Sequence, residues 1–339
     1  MLRRLVVLGG KGGVGKSSIS AATALMLSEL LPDSKVLLVS FDIAHNLSDM
    51  FETSVGGDIT KLTDNLWGVE PDVEAYAREY TAVFAEKTQT LMKQMPLVGL
   101  VPQLEEFIDR TFNADSIPLA LKNSLIFQHL LDAEDEQFDY VVADFPPTGN
   151  MLALFEIPQN QVQVILKYSL EMFSQVKKVV RRLKKVTKVF NPFSWGKKEQ
   201  EERVDEILAM MYELERRGER ITRMMKERGS LRLVTIAEKP SFEEIRRGAE
   251  LTRPYVSLDA IHVNRLVPEA GDCSFCRAQR ATQQKYAAMI ESEFSKYKIW
   301  RSRALSREPI GLEGLRALAV EVYGEGATAD EILYPSPES

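Results

Sequence analysis

Gly10-Lys11-Gly12-Gly13-Val14-Gly15-Lys16-Ser17 follows the apolar run Leu5-Val6-Val7-Leu8 and precedes a stretch of small and apolar residues ending at Leu31. The octapeptide fits the pattern G-x-x-x-x-G-K-[ST], and it stands between a strand signal and a helix signal, where a phosphate-cradling loop must stand. Glycine lets successive backbone N–H groups curl around phosphate oxygens, and the following helix turns its positive end toward them. Lys16 adds a point charge, Ser17 offers a hydroxyl to Mg²⁺, and Ser18 extends the set of N-terminal amides. A glycine-rich turn that binds nothing is the alternative, and the strand-before, helix-after context argues against it.

Working outward, Lys35–Ser40, Asp139–Asp144, Leu231–Ala237 and Ala260–Val263 read as further short apolar strands. Strands of this kind alternating with helices predict an α/β fold: a mostly parallel sheet covered by helices on both faces. Two stretches break the alternation, 75–131 and 161–229, both helical in composition. They predict a helical subdomain inserted into a discontinuous hydrolase domain made of 1–74, 132–160 and 230–333, with 334–339 as a flexible tail. The net charge of -6 gives no reason to expect a nucleic-acid partner. No apolar run reaches the ~20 residues that span a bilayer. The first eight residues pass into Gly9 and Gly10 without a cleavage site, which favours a buried strand over a signal peptide. Cys273 and Cys276 are the two cysteines of the chain, which excludes a disulfide framework and suits a reducing, cytoplasmic setting.

Asp42 and Asp144 close the second and third of these strands. In an open parallel sheet the carboxyl ends of the strands form the ligand crevice, so both aspartates are expected beside the phosphates. Hydrolysis of a phosphoanhydride needs Mg²⁺ near the β- and γ-phosphates and a group that orients water. Asp144 is assigned to the magnesium, largely through its water shell, and Asp42 to the water. Capping of the following helices is the other use open to them.

Lys11 is a second lysine at the start of the loop. The loop resembles that of the deviant Walker A (SIMIBI) P-loop ATPases, in which this lysine crosses a dimer interface to the partner's nucleotide. A solvated lysine in a turn is the bland alternative. The wider chain resembles the arsenite-pump ATPase family, and within it the tail-anchored-protein targeting factors of the guided-entry pathway. The resemblance is carried by the Lys11 loop, by Asp42-Ile43-Ala44-His45-Asn46-Leu47-Ser48-Asp49 and by Asp144-Phe145-Pro146-Pro147-Thr148-Gly149. It continues through Val263-Asn264-Arg265-Leu266 and Cys273-Ser274-Phe275-Cys276, so that it runs from residue 8 to about residue 312. The chain departs from the family pattern at Ile43, Phe145, Pro146 and Asn150, and the proline expected near Arg303 to contact adenine is missing.

The resemblance implies ATP and ADP as ligands, catalytic roles for Asp42, Lys11 and Lys16, and adenine recognition by Asn264. It also implies a homodimer clamped by Zn²⁺ between Cys273 and Cys276 of two chains, since a closed structural zinc site takes four ligands. Free or redox-active thiols are the alternative. Met172, Phe173, Met210, Met211, Leu214, Met224 and Met225 lie in the helical stretches. Taken by themselves such stripes fit a helical core, whereas the resemblance implies an apolar client groove. The basic face Lys177–Lys185 reads as a solvated helix surface or as a contact for acidic lipid. The expected activity is ATP hydrolysis coupled to capture and membrane targeting of tail-anchored proteins, with transient contact to a membrane receptor. A pump motor subunit and a redox-regulated holdase are the alternatives.

Overall fold

The computed structural model describes residues 2–42, 47–72, 82, 86, 89, 90, 128–147, 151, 216–268 and 273–337. The chain divides into two compact units, one of Met1–Asp72, Ile126–Phe155 and Ile221–Ser339, the other of Val73–Leu125 and Glu156–Arg220. Most of the second unit lies outside the described residues.

The first unit is built on eight strands: β1 (Arg4–Gly10), β2 (Val36–Ser40), β3 (Thr60–Lys61), β4 (Leu66–Val69), β5 (Tyr140–Asp144), β6 (Gly229–Ile236), β7 (Ser257–Leu266) and β8 (Lys298–Arg303). Their order across the sheet is β3-β4-β2-β5-β1-β6-β7-β8, and every pairing is parallel except β3 with β4. The four inner strands β2, β5, β1 and β6 are buried almost throughout because both of their faces are covered, and β6 buries Ser230, Arg232 and Thr235 along with its apolar residues. β8 instead alternates, Lys298-Ile299-Trp300-Arg301-Ser302-Arg303, with Trp300 and Ser302 buried and Arg301 and Arg303 exposed. That is the pattern of an edge strand with one wet face.

The helices are α1 (Lys16–Leu30), α2 (Leu47–Phe51), α3 (Gln128–Asp135), α4 (Lys239–Thr252), α5 (Ser274–Glu293), α6 (Gly311–Tyr323) and α7 (Ala329–Leu333); residues 216–228 are also helical. α1 is buried on nearly every side, and its Ala21, Ala22 and Ala24 let the sheet and α6 approach closely. The Thr23 hydroxyl meets the Tyr323 hydroxyl at 2.6 Å, fixing α1 against α6. At the far end of α1, the Asn65 side-chain nitrogen lies 2.9–3.0 Å from the carbonyls of Ser28, Leu31 and Ser34 and caps them.

A polar cluster is sealed inside the β6–β8 side. Arg232 of β6 is fully buried, 5.2 Å above the Trp300 ring, and donates to the Ile332 carbonyl. His262 of β7 stacks on Trp300 at 4.8 Å, and Tyr323 closes edge-on at 5.9 Å. Arg4 reaches the Leu333 carbonyl at 3.2 Å and its guanidinium lies 4.9 Å over the Tyr334 ring. α7 carries a complete capping box, Thr328 with Glu331. No helix among the described residues is long and apolar enough to cross a membrane.

Candidate active site

The loop between β1 and α1 takes backbone angles that side chains rarely tolerate: φ is 145° at Gly10, 79° at Gly13 and 91° at Gly15. At Gly10 a Cβ would lie 2.1 Å from the Val234 carbonyl oxygen, so glycine there is a packing demand as well. Gly15 is the N-cap of α1, with no side-chain cap and no acidic residue in the first turn. The amides and the positive end of this helix are therefore left for an anion from outside the chain. Lys16 is buried, with Nζ 3.4 Å from the Lys11 carbonyl, while the Lys11 side chain is exposed.

Asp144 ends β5 beside this loop. Its backbone register pairs it with Leu8 of β1 and Ser40 of β2, and Phe41 donates to its carbonyl at 2.8 Å. The carboxylate is 0 % exposed. Oδ1 accepts from Ser20 Oγ at 3.3 Å, Ser17 supplies a second side-chain hydrogen bond, and buried Oδ2 has no partner. Burial raises the Asp144 pKa to about 6 against the opposing pull of the Ser17 hydrogen bond and the Lys16 charge; the Asp42 charge pushes it the same way as burial. Thus Lys16 and Ser17 at the start of α1, and Asp42 after β2, all act on the Asp144 carboxylate. Asp42 follows β2 and is half-buried, and Phe41 packs edge-on against Phe145 at 5.1 Å. Residues 43–46 and 148–150, which include Ile43 and Asn150, lie outside the described residues.

Ser20 was not expected here. It sits one turn beyond Lys16 on the same face of α1, and that spacing is the signal that could have found it. Glu70 is a second unforeseen contributor: its buried carboxylate accepts from Leu47 N–H at 2.8 Å and so fixes the start of α2 next to the Asp42 segment.

Asn264 is only 5 % exposed. Its Nδ2 donates to the Val14 carbonyl at 2.9 Å, and its Oδ1 accepts from Arg265 N–H at 2.9 Å and from Ser302 Oγ at 2.8 Å. Arg265 donates from Nη1 to the Gly13 carbonyl at 2.9 Å.

Cys273 and Cys276 lie apart from this cluster in sequence, at the start of α5. Their sulfurs are 2.7 Å apart, and Cys273 Sγ caps the helix by accepting from Cys276 N–H at 3.0 Å. The hydrogen bond from Cys276 lowers the Cys273 pKa, and the same contact raises that of Cys276. Both are free thiols, and Phe275 between them is 74 % exposed. Among the described residues no group of three or more His, Cys, Asp or Glu could hold a metal. His262 is no ligand for the cysteines: it is sealed against Trp300.

Of the methionines expected to line a groove, Met224 and Met225 are 2 % and 3 % exposed and take part in the core. Both belong to the compact unit that includes Ile221–Ser339. Met172, Phe173, Met210, Met211 and Leu214 lie outside the described residues.

Comparison with known proteins agrees with this geometry. A family model described as anion-transporting ATPase matches residues 3–324. The "Putative arsenical pump-driving ATPase 2" of Aquifex aeolicus is 31% identical over 320 residues, covering 92% of this chain and 97% of that protein. The ATPase GET3 of Eremothecium gossypii is 28% identical over 325 residues, covering 92% and 86%. The ATPase GET3C of Arabidopsis thaliana is 28% identical over 330 residues, covering 93% and 81%. A match running through nearly the whole chain, on a parallel sheet whose first strand delivers a phosphate loop, leaves one conclusion: this chain belongs to the anion-transporting ATPase family and is an ATP hydrolase.

Proposed function

We propose that this ATPase acts as a homodimer that captures tail-anchored membrane proteins and delivers them to a membrane. The observation that carries the reading is the thiol pair. Two sulfurs on one helical turn, Cys273 exposed and Cys276 half-buried, supply half of a tetrahedral zinc set, and a second copy of the chain supplies the other half. Relatives named GET3 match over most of their length, which is in keeping with this reading.

The residues fit the ligands such a cycle needs. The amides of Gly12, Gly13, Val14, Gly15, Lys16, Ser17 and Ser18 suit a triphosphate, and Asn264 would meet adenine. Asp144, with a buried oxygen lacking a partner, and Ser17 would hold Mg²⁺. That ion would supply positive charge to the phosphates. Asp42 orients the attacking water, Lys16 neutralises charge on the phosphates, and exposed Lys11 reaches to the nucleotide of the second copy. The domain scheme is part of the proposal: 75–131 and 161–229 form a helical client-binding subdomain inserted between 1–74, 132–160 and 230–333, with 334–339 as a tail. Met172, Phe173, Met210, Met211 and Leu214 line its apolar groove. The work is done in the cytoplasm, with transient membrane contact.

Co-expression with a tail-anchored client tests the reading. It predicts a soluble complex that forms with ATP and is lost in Lys11→Ala; no ATP-dependent complex would count decisively against it. A second reading, a motor for an arsenical pump, is favoured by the name of the Aquifex aeolicus relative. A metalloid site built from thiols needs more cysteines than the two in this chain. Stimulation of hydrolysis by arsenite or antimonite would establish that second reading.

A further inference from the structure

The phosphate loop is held from outside by two neighbouring residues of β7 whose use by the loop no motif predicts. In a trans peptide the C=O and the next N–H point in opposite directions. A donor that fixes the Gly13 carbonyl therefore also aims the Val14 N–H, and one that fixes the Val14 carbonyl aims the Gly15 N–H. Arg265 Nη1 holds the first at 2.9 Å and Asn264 Nδ2 holds the second at 2.9 Å.

The fold makes a deliberate local distortion to bring them there. Arg265 has φ 57°, a left-handed conformation that disfavours a non-glycine residue. The β7–β8 register shifts between Val263 and Leu266, at the same place. A bulge of this kind re-aims side chains next to a site. Several bonds keep the distortion in place: Arg265 N–H to Asn264 Oδ1, Gln283 Nε2 to the Arg265 carbonyl at 3.1 Å, and Val267 N–H to Gln283 Oε1 at 2.8 Å. Gly15 is part of the same arrangement, because a Cβ there would lie 2.4 Å from Asn264 Nδ2. Asn264 has two donors and two acceptor lone pairs; both lone pairs and one donor are already committed within the chain.

We infer that Asn264 and Arg265 are positioning residues for the phosphate loop, fixing the Val14 and Gly15 amides for the polyphosphate whatever Asn264 does with a base. The experiment titrates the full chain calorimetrically with Mg²⁺ and either ATP or inorganic tripolyphosphate, which has no base. Asn264→Asp places an oxygen against the Val14 carbonyl and is expected to weaken both ligands together, by roughly 10-fold or more. Arg265→Gly removes the guanidinium while suiting the left-handed backbone. It is expected to weaken both ligands about 3- to 10-fold with the melting temperature unchanged or raised. If Asn264→Asp does not fold, Arg265→Gly alone carries the test. The inference is overturned if tripolyphosphate binds the folded variants as it binds wild type while ATP binding falls, since that is the signature of a base contact. It is equally overturned if Arg265→Gly binds both ligands normally, or if wild type ignores tripolyphosphate at about 1 mM, a weak-binding limit that a held loop should surpass.

Discussion

Ser20 donates to one oxygen of Asp144 at 3.3 Å, while the other oxygen of that carboxylate is buried without a partner. A carboxylate so placed is costly when ionised. A pKa raised from 3.8 to about 6 corresponds to a penalty on the order of 3 kcal/mol for the charged form. Replacing Asp144 with Asn removes the charge and keeps the shape. The nucleotide-free, metal-free protein should then melt about 2–5 °C higher, while Mg²⁺-dependent hydrolysis falls by roughly 100-fold or more. Differential scanning calorimetry and a phosphate-release assay read the two effects. A lower melting temperature would show that the carboxylate stabilises the fold.

The glycines of the phosphate loop separate by what surrounds them. Gly10→Ala brings a methyl to 2.1 Å from the Val234 carbonyl, between paired strands that cannot part. It should cost more than about 3 kcal/mol and yield little soluble protein. Gly13 also has positive φ, but nothing lies within 4 Å of its missing Cβ. Gly13→Ala should fold with a loss of about 1–2 kcal/mol, the backbone strain alone. Denaturant unfolding of the two variants side by side is the check.

His262 is buried between Trp300 and Tyr323, and its pKa lies well below 6.5 because burial, and then the Arg232 charge, disfavour the imidazolium. Below pH 6.5 the unfolded chain takes up a proton at this residue and the folded chain does not, so stability is lost as pH falls through that range. His129 is shifted in the same direction by its own burial and adds to the slope. In His262→Phe the part due to His262 disappears. The stability of the variant relative to wild type should improve by up to about 1.4 kcal/mol for each pH unit between 6.5 and 5. Urea titrations at several pH values measure it, and a difference independent of pH would refute it.

Cys273→Ser and Cys276→Ser each remove half of the pair that the proposed zinc-clamped dimer needs. Each should reduce bound zinc to less than about a tenth of wild type and shift the chain to monomer at micromolar concentration. Metal analysis joined to light scattering reads both quantities. A serine variant that remains a zinc-free dimer would move the dimer contact elsewhere on the surface.

The sequence made the centre of the sheet legible because buried parallel strands are written as short, mainly apolar runs. Leu5–Leu8, Lys35–Ser40, Asp139–Asp144, Leu231–Ala237 and Ala260–Val263 all fall on observed strands. β8 escaped because an edge strand alternates, and its arginines hide Trp300 and Ser302. β4 escaped because its four residues include Gly68, where a Cβ would lie 2.7 Å from Leu62. The same division applies to the site. Gly10–Ser17, Asp42 and Asp144 announce themselves by motif and by strand end. Ser20 is announced only by its spacing from Lys16, and Arg265, Gln283 and Ser302 not at all, because each acts through contacts between distant parts of the chain and Arg265 depends on a bulge that no periodicity records.

The two arginines that end on α7 have a practical bearing on how the chain can be handled. Arg232 and Arg4 end on the carbonyls of Ile332 and Leu333, so the short last helix is a plug for two guanidinium groups. Trimming the chain back to Thr328 would strip those acceptors from fully buried Arg232 and from half-buried Arg4, which keeps its ion pair with Asp259, and the loss would be felt most at Arg232. An affinity tag or fluorophore belongs after Pro337, attached to the plug and never in place of it.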